Sequence, residues 1–166
     1  MSDSFTPYES AIKSISKRFS RAPVREAVLT RLLMHMGSNL SVHFDAELKE
    51  HGLNYTTWTS LVVLYSQPEG RMLPSELATY ILTSRTHCSR IADELDKKGF
   101  VQRIASETDR REVHLQLTAK GTAFVQEHHP ARRKQYRDLW SAFSAEEMTQ
   151  FESLLRKLLV QLDDKQ

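Results

Sequence analysis

Apolar residues recur at steps of three and four through most of the chain, which predicts a mainly helical protein. The first helix is expected after Thr6, with Pro7 at its first position and Glu9 completing a capping box. A longer helical pattern runs from 23 to 51 and stops at Gly52. A third helix, within 54–67, carries its expected buried face at four positions: Trp58, Leu61, Val62 and Tyr65.

The pattern between 73 and 100 predicts two helices joined by a tight turn. Pro74 opens the shorter helix, the turn falls at 82–84, and Ser84 caps the second helix. Three residues of that second helix share one face at i, i+3 and i+7: Cys88, Ile91 and Leu95. Its opposite face is basic and hydrogen-bonding, as in the recognition helix of a helix-turn-helix, whose first turns meet base edges.

After Gly99 the apolar residues recur at every second position instead of every third or fourth, which predicts two strands. Val101, Arg103 and Ala105 alternate with their neighbours, and the return strand places Val113, Leu115 and Leu117 on one side. The charged segment SETDRR, residues 106–111, forms the tip between them. A hairpin directly after a helix-turn-helix is the order of a winged helix. The predicted fold is therefore mainly α with a small β-hairpin wing.

The remaining C-terminal segment returns to helical spacing. Thr118 is the expected N-cap of one helix, Pro130 an expected break or kink, and Ser144 with Glu147 a capping box for the last helix. That last helix carries a wide apolar stripe: Phe151, Leu154, Leu155, Leu158, Leu159 and Leu162.

Surplus apolar surface at both ends of the chain predicts a two-fold homodimer, although the same stripes could pack within a monomer. We expect one domain over 1–166, in which 22–52 and 122–166 form a helical dimerisation region. The winged helix-turn-helix region then spans 53–121.

Composition restricts the classes of function. The 166 residues suit one domain, the net charge is only +2, and Cys88 is the sole cysteine, which excludes an intrachain disulfide and a cysteine-based zinc cluster. A basic, apolar leader and an apolar run of membrane-spanning length are both absent from the sequence, so we expect a cytoplasmic protein. A Gly-rich phosphate loop, a nucleophile elbow and an HExxH pattern are also absent, so we expect neither an enzyme nor a bound cofactor.

The segment DRREVHLQLTAKG, residues 109–121, resembles the signature hairpin of the MarR family of bacterial transcriptional regulators. The resemblance extends through LPSELATYILTSRTHCSRIADELDKKGFVQR and VLTRLLMHMGSNL, and within the family it is similar to the multidrug-efflux repressors. It implies a repressor that binds double-stranded DNA as a homodimer. The residues that it implies at the DNA are Ser84, Arg85, Thr86, His87, Ser89, Arg90, Asp109, Arg110 and Arg111. Asp109 would brace Arg111 for the minor groove, and Arg110 would meet phosphate.

The resemblance also implies a small aromatic, phenolic or drug-like effector that releases the operator. Candidate contacts are Arg31, His35, Ser38, Asn39 and Trp58, of which the first three share a helix face. Each has a plainer alternative, because Arg31 and His35 also suit a solvated stripe and Trp58 suits the core. The histidines, among them the adjacent His128 and His129, do not form a metal face by spacing, so we expect no metal site.

Two alternatives remain open from the sequence. The chain could be a dimeric winged-helix scaffold for protein contacts, or an activator that does not respond to small molecules. Cys88 is expected to be a packing residue, with redox sensing as its alternative.

Overall fold

The structure is a computed structural model that describes residues 3–19, 21–105 and 112–164. Within those ranges the chain forms seven α-helices and three short strands. The helices are α1 (Thr6–Ser16), α2 (Val24–Leu48), α3 (Tyr55–Ser66), α4 (Pro74–Tyr80), α5 (Arg85–Lys97), α6 (Ala119–Trp140) and α7 (Ala145–Asp163). The strands are β1 (Arg71–Met72), β2 (Val101–Ala105) and β3 (Val113–Leu117).

The start of α1 differs from the expectation at Thr6. Phe5 is the N-cap and contributes no side-chain hydrogen bond. Instead, Oδ1 of Asp3 accepts from the backbone N–H of Phe5 at 3.1 Å and of Thr6 at 3.0 Å. The prediction of a Thr6 cap is therefore wrong, because an upstream carboxylate satisfies two free amides of the first turn at once.

The long helical segment stops at Gly52, as the sequence predicted, although the α-helix itself ends at Leu48. A single 3-10 turn, Lys49–His51, follows α2, and Gly52 then takes φ +63°, the left-handed conformation that favours glycine. Asn54 and Thr57 form a capping box that starts α3. On α3, Trp58 and Leu61 are buried, whereas Tyr65, expected on the same face, is exposed and its hydroxyl lies 3.3 Å from the Gln126 amide nitrogen.

Helices α4 and α5 form the predicted helix-turn-helix. Leu82 occupies the turn with φ +51°, and the Ser84 side chain caps α5 by accepting from the His87 N–H at 3.2 Å. Ile91 and Leu95 are buried on the inner face of α5, as their spacing predicted.

The three strands form one antiparallel sheet in the order β1-β3-β2. The predicted hairpin pairs Val101 with Leu117 at its base and Ala105 with Val113 at its upper end. Leu117 is buried, but Val113, expected on the same side, is exposed where the strand begins. Strand β1 is two residues long, too short to show a period in the sequence. The tip at 106–111 lies outside the described residues.

One hydrophobic core, which contains residues from Leu48 to Val125, joins the helix-turn-helix, the sheet and the first turns of α6. Thr118 connects β3 to α6, since its hydroxyl accepts from the Gly121 N–H at 3.1 Å and donates to the Gly99 carbonyl at 2.7 Å. A Cβ added at Gly121 would lie 2.1 Å from the carbonyl oxygen of Phe100, so the backbone of α6 passes directly over the residue that precedes β2.

Helix α6 continues through Pro130, so the helix does not end at this proline. The missing proline N–H removes one bond of the ladder, and the turns on either side continue the helix. Ser144 and Glu147 form the predicted capping box of α7. The apolar stripe of α7 is exposed in the single chain, most strongly at Leu154 and Leu159.

Candidate nucleic-acid interface

The outward face of α5 presents a compact set of polar side chains. Six residues at the start of the helix are exposed together: Ser84, Arg85, Thr86, His87, Ser89 and Arg90. The free backbone amides of the first turn lie at the same end, where the helix dipole favours an anion. This face therefore combines two guanidinium groups with hydroxyl and imidazole groups that can exchange hydrogen bonds with bases and phosphates.

Cys88 lies on the opposite, buried side of α5 and packs that helix against α4. It is 0% exposed, and its thiol lies 3.3 Å from the Pro74 carbonyl oxygen at the start of α4. Burial raises the pKa of the Cys88 thiol. The residue therefore joins the two helices as a neutral packing group.

An ion pair connects the hairpin to α5. The Arg103 guanidinium on β2 donates to the Asp93 carboxylate at 2.6 Å, and both side chains remain partly exposed. The sequence placed Arg103 on a strand but did not pair it with Asp93 of α5. Their opposite charges were the one feature of the sequence that could have suggested this ion pair.

The three wing candidates, Asp109, Arg110 and Arg111, lie outside the described residues. The structure describes the base of the wing, where Val101–Ala105 of β2 pairs with β3.

Two of the effector candidates on α2, Arg31 and His35, contact the N-terminal segment. Arg31 stands over the Tyr8 ring of α1, with 5.0 Å from its guanidinium carbon to the ring centroid. Nε2 of His35 lies 2.8 Å from the Ser4 hydroxyl and 3.2 Å from the Asn39 amide nitrogen. The N-terminal segment, which sequence reasoning left out of this group, therefore contacts both Arg31 and His35.

Asn39 also lines a mainly apolar cavity of about 450 Å³ between α2, α6 and α7. The other lining residues are Met36, Leu40, His43, Leu139, Trp140, Phe143 and Phe151. Ser38 is exposed on α2 and does not line this cavity. The polar groups at the wall are thus one amide and one imidazole, beside several aromatic rings.

Trp58 is 3% exposed and belongs to the hydrophobic core. Its ring lies 5.6 Å from the guanidinium carbon of Arg132, a residue that is only 2% exposed and that sequence reasoning missed. Nη1 of Arg132 donates to the Gln135 side chain at 2.7 Å, while Nη2 has no partner among the described residues. Burial and the nearby Tyr55 hydroxyl raise the pKa of Tyr136, one turn further along α6, to about 12.

None of the described helices is long and apolar enough to span a bilayer. The part of the chain that the structure describes also holds no group of three or more His, Cys, Asp or Glu side chains arranged for a metal ion.

Comparison with known proteins places this architecture in a family. A model described as MarR family matches residues 51–112, which include the helix-turn-helix and β2. The Escherichia coli protein named transcriptional repressor MprA is 44% identical over 163 residues, which cover 98% of this chain and 93% of that protein. The chain belongs to the MarR family. A second relative, the Escherichia coli HTH-type transcriptional regulator PrsX, is 30% identical over 142 residues, 86% of either chain.

The winged-helix fold of this MarR-family chain is confirmed by a solved structure. A MarR family transcriptional regulator from Streptomyces coelicolor, in complex with DNA, superposes with a TM-score of 0.77 at 23% identity, covering 83% of this chain and 88% of the other. These relatives are named as regulators of transcription, in agreement with the expectation that the chain is not an enzyme.

Proposed function

We propose that this MarR-family chain is a transcriptional repressor that binds a specific DNA sequence through α5 and the wing. The observation that carries the proposal is the outward face of α5, where six polar residues at the start of one helix are exposed together. The name of its relative MprA, a transcriptional repressor, and the DNA complex of the Streptomyces coelicolor relative support the same conclusion.

In this proposal the first turn of α5 enters the major groove. Arg85 and Arg90 offer bidentate donors to guanine or phosphate, and Ser89 offers a hydroxyl. Ser84, Thr86 and His87 complete the contact set near the helix N-terminus. At the wing, Asp109 orients Arg111 toward a narrow minor groove, and Arg110 contacts phosphate.

We propose that the repressor is a homodimer, with its helical region at 22–52 and 122–166 and its DNA-binding region at 53–121. The exposed apolar stripe of α7 supports this, because an isolated chain leaves Leu154, Leu158, Leu159 and Leu162 in water. A two-fold dimer presents two α5 helices to a pseudo-palindromic operator. Such a regulator acts on the bacterial chromosome, so we place it in the cytoplasm.

We further propose that a small aromatic or phenolic effector lowers operator affinity. Arg31, His35, Ser38 and Asn39 are the candidate polar contacts, whereas Trp58, the apolar candidate from the sequence, lies in the hydrophobic core and does not line the cavity. The cavity beside Asn39 supports the proposal, since its wall is aromatic with few polar groups. The dimer can hold its two α5 helices at a separation that fits DNA or at one that does not. An effector that binds the second form more tightly shifts the dimer toward it and so releases the operator.

The deciding experiment is selection of bound duplexes from a random pool, followed by titration of the winner over a range of salt concentrations. A specific repressor prefers the selected duplex over random DNA, and its affinity falls steeply with salt because bound counterions are released at several phosphates. If random and selected duplexes bind alike at moderate salt, the chain acts as a protein-contact scaffold instead. A reporter promoter carrying the operator then separates repression from activation.

The wing and the effector site have separate tests. Arg111→Ala should weaken operator binding without changing the fold or the dimer, and an unchanged affinity would remove Arg111 from the interface. Arg31→Ala should raise the concentration of phenol or drug needed for release, with operator affinity unaltered. Equal sensitivity in variant and parent would remove Arg31 from the effector site.

A further inference from the structure

Two histidines from distant parts of the chain face each other at the junction between the long helix and α6. His51 ends the 3-10 turn after α2, and His128 lies in the third turn of α6. Their Nε2 atoms are 3.0 Å apart, although 77 positions separate them in the sequence. Neither the DNA interface nor the effector candidates use this pair.

Both imidazole rings are held by Phe124. The His128 ring stacks on it with centroids 4.1 Å apart, and the His51 ring meets it edge-on at 5.1 Å. Rings that are already packed lose little further rotamer freedom when a ligand binds. The junction therefore presents two nitrogen atoms in a preorganised geometry.

The backbone determines which nitrogen of the neutral His128 ring carries the proton. Nδ1 of His128 lies 2.9 Å from the Phe124 carbonyl oxygen, which can only accept a hydrogen bond, so Nδ1 carries the proton. Nε2 then keeps its lone pair and points at His51. A backbone carbonyl that holds the second ring nitrogen is the usual support of a metal-ligating histidine.

We propose that His51 and His128 bind a divalent late transition metal ion of the Ni²⁺ or Cu²⁺ class. Two nitrogens at about 2.1 Å from one ion stand about 3.0 Å apart at a right angle, and about 3.4 Å apart at the tetrahedral angle. The observed 3.0 Å equals the separation expected at the right angle of square-planar or octahedral coordination, and the ion replaces the contact between the two ring nitrogens. His51 carries its own ring proton on Nδ1 when the ion is bound.

Water completes the coordination, since no third His, Cys, Asp or Glu joins the pair among the described residues. The Lys98 ammonium, 3.5 Å from the His51 carbonyl oxygen, adds a positive charge near the site. Both features favour a weaker affinity than that of a closed four-ligand site. The bound ion ties the end of the long helix to α6, two segments that both belong to the proposed helical dimerisation region.

The test uses the full chain without a histidine tag, titrated calorimetrically with NiCl₂ and with CuCl₂. The parent should bind one ion per chain, and His51→Gln and His128→Gln should each weaken binding about tenfold or more. His129→Gln is the matched control, because His129 is the exposed neighbour of His128 and should leave the affinity unchanged. Circular dichroism first establishes that each variant is folded.

The spectrum of bound Cu²⁺ gives a second measurement that does not need a variant. Electron paramagnetic resonance of the parent should show two imidazole nitrogens on the ion, and each single variant should show one. The proposal is overturned if the parent binds neither ion, if its Cu²⁺ spectrum shows fewer than two nitrogens, or if His129→Gln weakens binding as much as His128→Gln.

Discussion

The Arg103 guanidinium on β2 contacts the Asp93 carboxylate on α5 at 2.6 Å. The pair joins the base of the wing to the helix that we propose for the major groove. It also places a carboxylate on the face that would meet DNA and offsets that charge with an arginine from the hairpin. Because both side chains are partly exposed, the pair should contribute less than about 1 kcal/mol to stability.

Asp93→Asn should therefore strengthen DNA binding at low salt. The change removes a negative charge from the proposed interface and frees Arg103 to reach a phosphate. In fluorescence anisotropy over a salt series, the plot of log affinity against log salt should steepen by about one unit. Asp96→Asn, on the same helix, is the control and should leave the slope unchanged; equal slopes for both variants would contradict the prediction.

Gly121→Ala should destabilise the protein by about 3 kcal/mol, because the new methyl group would collide with a backbone carbonyl that cannot move freely. Gly37→Ala is the matched comparison, since a Cβ there meets nothing within 4 Å and alanine favours a helix interior by about 1 kcal/mol. Urea unfolding of the two variants should shift the midpoint in opposite directions. A neutral Gly121→Ala would show that α6 does not pass so close to Phe100.

The Cys88 thiol should react slowly with a disulfide reagent in the folded protein at pH 8. Burial blocks access to the thiol and raises its pKa, so less of the reactive thiolate forms than in an ordinary cysteine. The reaction should become fast in urea, which provides the internal reference. Rapid labelling of the native chain, at the rate of the unfolded one, would instead favour the redox-sensing alternative.

Leu159→Glu should weaken the proposed dimer. The side chain is 54% exposed in the single chain and lies in the apolar stripe of α7, so a charge there would be buried against the partner. Analytical ultracentrifugation should show a higher dissociation constant than for the parent. Ser153→Glu adds the same charge on the opposite face of the same helix and should leave the dimer intact. If the stripe packs elsewhere, neither substitution would change the dimer.

The sequence predicted the helix-turn-helix and the hairpin strands because their periods are strong and local. Ser84, Thr118 and Ser144 were identified as caps for the same reason, since a cap depends on residues only three positions away. Strand β1 escaped notice because two residues carry no period. Tyr65 was wrongly assigned to the buried face, because one helix face can pass from the core to the surface along its length.

The missed features of the candidate sites all depend on tertiary neighbours. Arg132 looks like a surface charge in the run ARRK, and only the packing of Trp58 against α6 shows it to be buried. The His51–His128 pair could not be read from spacing, because the fold and not the sequence brings position 51 beside position 128.

Thr118 has a consequence for the order in which the chain folds. Its backbone N–H donates to the Phe100 carbonyl at 3.0 Å, while its hydroxyl caps α6, so the first turn of that helix and the closing end of the hairpin share one set of hydrogen bonds. Unfolding of the first turn of α6 would therefore also disrupt the closing end of the hairpin, and the reverse also holds. In native-state hydrogen exchange, the amides of Thr118 and Gly121 should therefore be released together with those of the sheet, as one cooperative unit distinct from the distal turns of α6.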